Sequence, residues 1–236
     1  MVKDSLSTGA QYHESLADKW DSSYDRRGFR RRYEFIASKL VKVVRSGERW
    51  LDLGCGTGTL VQLLVAYGAA GEGLDGSPAM IAAARSCASM TRQEAFKFRQ
   101  IETIERLDCK SESFDGVLCS SVLEYVEQPD AALDEIYRVL RPGGHVVLSV
   151  ANSASVVRGM QYGLRHAAGV FGVSLFKYLS VSQSTYSRSS IHDQLLRRDF
   201  CSIELSNFDP WLPNWLTSVV AGSLVVVVAQ KCDGLT

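Results

Sequence analysis

Residues Trp50–Leu60 read WLDLGCGTGTL, with three glycines on alternate positions directly after a short apolar run. An apolar strand that passes into such a loop and then into a helix places the loop at the carboxyl end of the strand. Open parallel sheets bind their ligands at that edge. Glycines there allow a sharp turn and a close approach of the ligand to the main chain. The stretch predicts a ligand-binding loop, although it does not by itself name the ligand.

Short apolar runs and helical patterns alternate on both sides of this loop. The order strand, helix, strand implies parallel pairing through right-handed crossovers. We therefore predict an α/β, doubly wound, Rossmann-like fold. The predicted strands are RWLDL, AGEGLD, FKFRQI, FDGVLCS, GHVVLSV, CSIELSNF and SLVVVVAQ, and the predicted helices between them include TLVQLLVAYGA, SPAMIAAARSCA and DAALDEIYRVL.

Two helix starts are marked by capping residues. Ser77 followed by Pro78 predicts an N-cap with proline at the first helical position, and Asp130 is the predicted N-cap of the helix AALDEIYRVL. That helix is expected to stop at the RPGG segment, residues 141–144, which should form the turn into the next strand.

The length of 236 residues fits one large domain. We expect a single domain over residues 1–236, with N-terminal helices that form a lid in 1–45 and a cofactor-binding core in 46–150. An insertion after the fifth strand, residues 151–190, is rich in serine, glycine and aromatic residues and is expected to contact the substrate. A C-terminal helix and strands then occupy residues 191–236.

Composition excludes several classes of function. The chain has 26 basic and 26 acidic residues, so no whole-molecule field favours nucleic acid. Six scattered cysteines without a C-x-x-C pair predict neither a metal site nor a disulfide framework. The N-terminus lacks an apolar signal region, which predicts a cytoplasmic protein. The apolar stretch Leu216–Ala229 is shorter than the ~20 residues that a membrane span needs, so it predicts a buried strand.

The glycine loop differs from a dinucleotide fingerprint. A G-x-G-x-x-G pattern would place its third glycine at position 59, where this chain has Thr59. Asp52, just before the loop, suits a ligand with a positive group and would repel a pyrophosphate. Asp75 ends the second strand, where a carboxylate can accept both hydroxyls of a ribose. These features argue against NAD.

Three motifs together resemble the class I S-adenosylmethionine (SAM)-dependent methyltransferases. The similarity covers roughly Phe29 to Val150 and is greatest to the small-molecule branch that includes the ubiquinone-biosynthesis O-methyltransferases. It implies a seven-stranded sheet of order 3-2-1-4-5-7-6 with the last strand antiparallel. The motifs are DLGCGTG at 52–58, LDGSPAM at 74–80 and FDGVLCSSVLEYVEQPDAALDEIYRVLRPGG at 114–144.

The resemblance also implies residue roles. The three residues at the start of the loop would pass under the methionine part of SAM, with Asp52 near its amino group, Asp75 on the ribose hydroxyls, and Ser120 offering its carbonyl to the ammonium. Arg32 would pair with the SAM carboxylate, and the residues after the third strand would read the adenine amino group. The implied cofactor set is Gly54, Cys55, Gly56, Gly76, Ser77, Met80, Glu102, Thr103 and Ile104 in addition to those four.

The acceptor is less defined than the cofactor. Tyr12, Trp20 and Tyr24 resemble the aromatic residues of an N-terminal lid, with Tyr24 the strongest candidate for cofactor contact. Tyr125 stands where quinone-type relatives tend to have histidine, so the resemblance does not imply a quinone precursor.

The expected reaction moves a methyl group from SAM to a small-molecule acceptor, most simply an oxygen of an apolar or aromatic compound, and releases S-adenosylhomocysteine. A phenol or alcohol needs a base, for which His13, His166 and His192 are the candidates. The alternatives are N- or C-methylation and a SAM-binding partner subunit without catalysis. The sequence leaves monomer and homodimer open.

Overall fold

The protein is built on one seven-stranded sheet. The computed structural model describes residues 8–17, 20, 22, 24, 26–90, 95–170, 173, 175–217 and 220–233. The strand order is β3-β2-β1-β4-β5-β7-β6, and β7 runs antiparallel to both of its neighbours. This confirms the predicted order and the antiparallel last strand. The strands are β1 (Arg49–Leu53), β2 (Ala70–Asp75), β3 (Phe96–Gln100), β4 (Phe114–Ser120), β5 (Leu140–Ala151), β6 (Phe200–Phe208) and β7 (Leu224–Lys231).

Helices cover both faces of this sheet. Those of the described residues are α1 (Thr8–Glu14), α2 (Arg27–Val43), α3 (Val61–Ala66), α4 (Pro78–Met90), α5 (Pro129–Val139), α6 (Val156–Val170), α7 (Arg188–Leu196) and α8 (Asn214–Thr217). α5 and α7 pack into one buried cluster with the sheet, and α2 and α3 pack into another. Central strands covered on both faces must be apolar throughout, which explains the continuous run of valines in β7.

One face of α2 packs on the sheet. Ile36 and Leu40 are fully buried, and Tyr33 is partly buried against the same cluster. Some arginines on the other side of α2 are exposed, and others contact distant parts of the chain. Arg31 donates to the carbonyls of Pro210 and Leu212 at 2.9 and 2.7 Å, which ties α2 to the segment after β6.

Two local predictions need correction. The N-cap of α5 is Gln128 rather than Asp130, because Pro129 takes the first helical position, for which its fixed φ is suited. The RPGG segment belongs to β5 instead of forming a separate turn. The pairing with β4 shifts there, since the residues between Leu140 and His145 oppose a much shorter stretch of β4, and Gly143 takes a φ of +74°.

The insertion after β5 is largely helical. It contains α6, a single 3-10 turn at Lys177–Ser180 and the approach to α7. The predicted strand within Leu216–Ala229 is β7, as expected. Within the described residues, no helix combines the length and the apolarity needed to cross a membrane.

Candidate functional site

The glycine loop after β1 adopts a conformation that side chains would oppose. Gly54, Gly56 and Gly58 have φ values of +70°, +53° and +84°, in the left-handed region that only glycine enters freely. A Cβ on Gly54 would lie 2.3 Å from Val122 Cγ2, and one on Gly58 would lie 3.2 Å from the Phe98 ring. The loop therefore presents bare main chain for two reasons, backbone conformation and close packing.

Asp75 joins this loop to the end of β2. Its carboxylate accepts a hydrogen bond from the amide of Gly56 at 2.9 Å and another from the amide of Ser77 at 2.8 Å. The amides of Gly54 and Cys55 both donate to the carbonyl of Leu74, at 2.7 and 3.0 Å. Burial raises the pKa of Asp75, and its two amide donors oppose that rise. Since each carboxylate oxygen has a further lone pair, Asp75 can still accept from a ligand.

Asp52 lies beneath the loop and is 1% exposed. Within the described part of the chain its Oδ2 atom has no hydrogen-bond partner. Burial, with the nearby Asp75 carboxylate as a second cause, raises the pKa of Asp52 well above its ordinary value. An unpaired buried carboxyl is costly, and a cation brought close to it would relieve that cost. The position suits the positive group that the sequence predicted for the ligand.

Arg32 reaches from α2 to the end of β4. Its Nη2 atom donates to the carbonyl oxygen of Ser120 at 3.1 Å and to the Ser120 hydroxyl at 2.7 Å. The family resemblance implies neighbouring ligand roles for these two residues, one for the carboxylate and one for the ammonium of an amino acid. The structure brings them into direct contact.

The glycine loop, Asp75 and the Arg32–Ser120 pair open onto one large cavity of about 1130 Å³ at the carboxyl edge of the sheet. The lid helix α1, the glycine loop, the ends of β2, β3 and β4, the insertion and the segment after β6 all contribute to its wall. The predicted residues that line it are Gly54, Gly56, Asp75, Gly76, Met80, Glu102, Thr103, Ile104, Ser120, Arg32 and His13.

Four predicted cofactor residues lie outside that lining. Asp52 and the Cys55 side chain are buried below it. Ser77 caps α4, since its hydroxyl accepts from the amide of Met80 at 3.1 Å. Tyr24 packs edge-on against Phe29 and Tyr33, with ring centroids 5.6 and 6.2 Å away. These four residues adjoin the cavity wall, to which Gly54, Gly56, Gly76 and Phe29 contribute.

The three histidines are placed very differently. His13 lines the cavity and packs edge-on against Tyr125, with ring centroids 4.9 Å apart. His166 lies on α6 beside a separate shallow hollow. His192 has a 39% exposed side chain near Asp193 on α7. Of the three, the structure brings only His13 to the cavity.

His13 has a defined tautomer. Its Nδ1 atom lies 2.8 Å from the carbonyl oxygen of Gly9. A carbonyl can only accept, so Nδ1 carries the proton and Nε2 keeps its lone pair. Burial lowers the pKa of His13, which keeps the ring neutral near pH 7. The residue therefore has the properties of a base.

The lid helix α1 is held on the core by Glu14. Its carboxylate accepts from the Ser77 hydroxyl and from the amide of Ala79, the latter at 3.1 Å. A carboxylate at the start of α4 is also favoured by the helix dipole. The sequence patterns did not indicate Glu14, because an acid thirteen residues before the start of α2 belongs to no motif.

A second set of polar residues enters the cavity near the insertion. Glu124 and Arg158 are 4% and 5% exposed, and both line the cavity with Gln161 and Tyr178. Glu124 accepts from the amide of Ala151 at 3.1 Å. Burial raises the pKa of Glu124, and Arg158 and Arg32 oppose that rise. The sequence analysis missed this set, although a single arginine within the serine- and glycine-rich segment 151–160 was a usable signal.

The described residues contain no group of three or more histidine, cysteine, aspartate or glutamate side chains arranged to hold a metal ion. The polar groups that converge on the cavity are those of the glycine loop, the strand ends, the lid and the insertion.

Comparison with known proteins identifies the core. Residues 51–148 match the family described as a methyltransferase domain. The chain is 39% identical over 106 residues to the ubiquinone biosynthesis O-methyltransferase of Alkalilimnicola ehrlichii, covering 45% of this chain and 42% of that protein. It is 31% identical over 144 residues to the corresponding Pseudomonas putida protein, covering 59% and 60%. The chain spans about half the length of the curated relatives it matches.

Solved structures share the fold. One is a chain described as a methyltransferase, in complex with the Haloferax volcanii Trm112 methyltransferase activator, with a TM-score of 0.70, 18% identity and coverage of 93% and 97%. Another is a SAM-dependent methyltransferase from Thermotoga maritima, with a TM-score of 0.65, 19% identity and coverage of 94% and 99%. The match of residues 51–148 and this shared fold confirm the resemblance that the sequence motifs indicated.

Proposed function

Because residues 51–148 carry a methyltransferase domain within the class I fold, we propose that the chain transfers a methyl group from SAM to an oxygen of an apolar or aromatic small molecule. The observation that supports it most is the convergence of the glycine loop, Asp75 and the Arg32–Ser120 pair on one cavity. Each of these groups matches a different chemical feature of SAM.

Residues in and next to the cavity fit SAM in four ways. The bare main chain at Gly54 and Gly56 allows the methionine part to approach closely. Asp75 retains acceptor capacity for the ribose hydroxyls. Asp52 and Arg32 offer opposite charges, one for the ammonium and one for the carboxylate. Glu102, Thr103 and Ile104, with the residues after Asp75, border the remaining part of the cavity, where we place the adenine.

SAM supplies a methyl group on a sulfonium, whose leaving group is already good. The chain then has to align the acceptor and exclude water. The lid helix α1, fixed by Glu14 to the start of α4, contributes Gly9, Tyr12 and His13 to the cavity wall. Closure of this wall over the cavity is how we expect water to be excluded.

An oxygen acceptor must lose a proton, and we assign its removal to His13. Its Nδ1 proton is engaged by Gly9, which leaves Nε2 to accept. Its lowered pKa keeps it neutral at pH 7, the form that a general base requires.

The acceptor part of the cavity is largely aromatic and apolar. Phe29, Tyr125, Phe176, Phe208 and Trp211 belong to its wall. Such a wall favours an apolar or aromatic acceptor by burial of its surface. N- and C-methylation and SAM binding without catalysis remain the competing functions, and each gives a different outcome in the tests below.

Thermal unfolding with and without ligands provides the first test. A ligand at a hundred times its Kd stabilises the folded state by about 2.7 kcal/mol, so saturating SAM or S-adenosylhomocysteine should raise Tm by several degrees, whereas NADH should not. Incubation with methyl-labelled SAM and a panel of phenols, amines and lipids then identifies the acceptor class. Stabilisation by NADH and not by SAM would overturn the proposal.

A further inference from the structure

Arg158 is the least explained charged residue of the cavity. It lies in the first turn of α6 and is 5% exposed, yet it is among the residues that line the cavity. Its Nη2 atom donates to the Ser182 hydroxyl at 3.1 Å. Its Nε atom has no hydrogen-bond partner among the described residues. Its Nη1 atom also has no partner among these residues and, unlike Nε, is not closed off from the cavity, so a buried guanidinium keeps an accessible donor for a ligand.

The buried acid Glu124 does not pair directly with this charge. Glu124 partly offsets the cost of burying the Arg158 charge, because the two opposite charges attract each other through space. The two side chains, both in the described part of the chain, form no hydrogen bond or ion pair within 4.0 Å, and Glu124 instead accepts from the Ala151 amide. Burial also raises the pKa of Glu124, which weakens its negative charge. Arg158 therefore keeps positive charge available for a ligand.

Two neutral residues, Tyr178 and Ser182, also lie close to Arg158. Tyr178 donates its hydroxyl proton to Gln161 at 2.6 Å, so these two polar groups satisfy each other. Ser182 is also uncharged. Removing a charge from water without a full set of partners is strongly unfavourable, and a bound anion would supply both the charge and the missing acceptor.

We propose that the methyl acceptor carries an anionic group, a carboxylate in the simplest case, and that Arg158 binds it through its unpaired Nη1 donors. The inference rests on the proposed function, because it names the substrate class of the same cavity. It makes the acceptor an aromatic or apolar hydroxy acid. The ring or chain of the acceptor packs on the apolar wall, its acid group lies on Arg158, and its hydroxyl is the methylated oxygen.

The test compares acids with their neutral amides. Binding of 3,4-dihydroxybenzoate and 4-hydroxycinnamate, and of their carboxamides, is measured by calorimetry at pH 7.5 on protein saturated with S-adenosylhomocysteine. We expect each acid to bind at least about tenfold more tightly than its amide. A tenfold difference corresponds to about 1.4 kcal/mol, the lower range for hydrogen bonds to charged groups.

Variants then assign the preference to Arg158. In Arg158→Gln the acid and the amide should bind within about twofold of each other, whereas Arg158→Lys should retain part of the preference through its charge. Arg165→Gln, on the same helix but outside this cavity, is the matched control and should keep the full preference. The wild-type comparison stands even if Arg158→Gln does not fold.

Three outcomes would overturn the inference. They are equal binding of acids and amides by the wild type, binding of none of the acids, and a preference that survives in folded Arg158→Gln. Failure of the proposed function would be seen separately, as lack of S-adenosylhomocysteine binding in the first titration. In that case the acid and amide comparison is made on the ligand-free protein.

Discussion

Arg32 donates to both the carbonyl and the hydroxyl of Ser120, at 3.1 and 2.7 Å, and so links helix α2 to the carboxyl end of β4. The two residues are 88 positions apart in the chain. Their contact places a guanidinium at the edge of the sheet where the glycine loop also ends. This relationship underlies the first prediction.

Replacing Arg32 should weaken SAM binding. Arg32→Gln removes the charge that we assign to the SAM carboxylate. A charge-assisted hydrogen bond contributes about 1.5 to 3 kcal/mol, so the affinity for S-adenosylhomocysteine should fall about tenfold or more. Arg30→Gln is the control, because Arg30 is exposed and pairs only with Glu34 on the helix surface. Equal affinities in the two variants would remove Arg32 from the ligand site.

Asp52→Asn should raise the stability of the protein and weaken its binding of SAM. Because the folded-state pKa of Asp52 is raised, the folded protein binds more protons than the unfolded chain above the ordinary pKa of 3.8, and stability falls as pH rises through that range. The neutral amide escapes this penalty. The ligand-free variant should therefore unfold at a higher temperature than wild type at pH 7.5, and the difference should shrink as pH falls.

The same variant should bind SAM more weakly, because the amide offers no charge to the ammonium. Calorimetry with SAM at pH 7.5 measures this. A variant that is both less stable and unchanged in affinity would contradict the role of Asp52 as the partner of a cation.

Protonation of His13 should cause the fall in activity at acid pH. Its pKa lies below the ordinary 6.5, so activity with an oxygen acceptor should be constant near pH 7 and fall only below 6.5. Stability should fall in the same direction, since the unfolded chain takes up the proton first as pH decreases. His13→Gln should lower kcat and abolish that limb, while His192→Gln, on the exposed face of α7, should leave it unchanged.

The glycine loop can be tested with a matched pair of substitutions. Gly54→Ala places a methyl group 2.3 Å from Val122 at a φ of +70°, which should cost about 1 to 3 kcal/mol. Gly159→Ala, on a helix with nothing within 4 Å of the new Cβ, should be neutral or slightly stabilising. Chemical denaturation measures both. A Gly54→Ala protein as stable as wild type would show that the loop can relax.

The sequence was most informative where local chemistry and fold agree. The alternation of apolar strands with helices, together with the glycine loop, predicted the fold class and the ligand edge, and the resemblance of the motifs predicted the strand order. Asp75 and Ser120 could be placed because residues that end parallel strands must lie at one edge of the sheet. Gln128 displaced Asp130 as N-cap for a local reason, since the adjacent Pro129 fitted the first helical position better.

The residues that would contact the methyl acceptor could not be predicted from the sequence in the same way. Helix α6 exposes Val156, Met160 and Leu164 and directs Arg158 towards the cavity. Its apolar face thus points away from the core, which is opposite to the usual amphipathic pattern. Sequence periodicity assigns the apolar face to the core, so it gives the wrong direction for this helix. Glu14 depends on long-range packing of α1 and left no local pattern, and the same packing separates His13 from the other two candidate histidines.

The most direct test of the account is methyl transfer itself. The protein is incubated with SAM carrying a ¹³C-labelled methyl group and with the hydroxy acid that binds best, and the product is examined by NMR. We predict equimolar S-adenosylhomocysteine and a methyl signal in the O–CH₃ range. A methyl group on nitrogen or carbon would contradict oxygen transfer, and tight SAM binding without S-adenosylhomocysteine formation for any acceptor would show that the chain is not a methyltransferase.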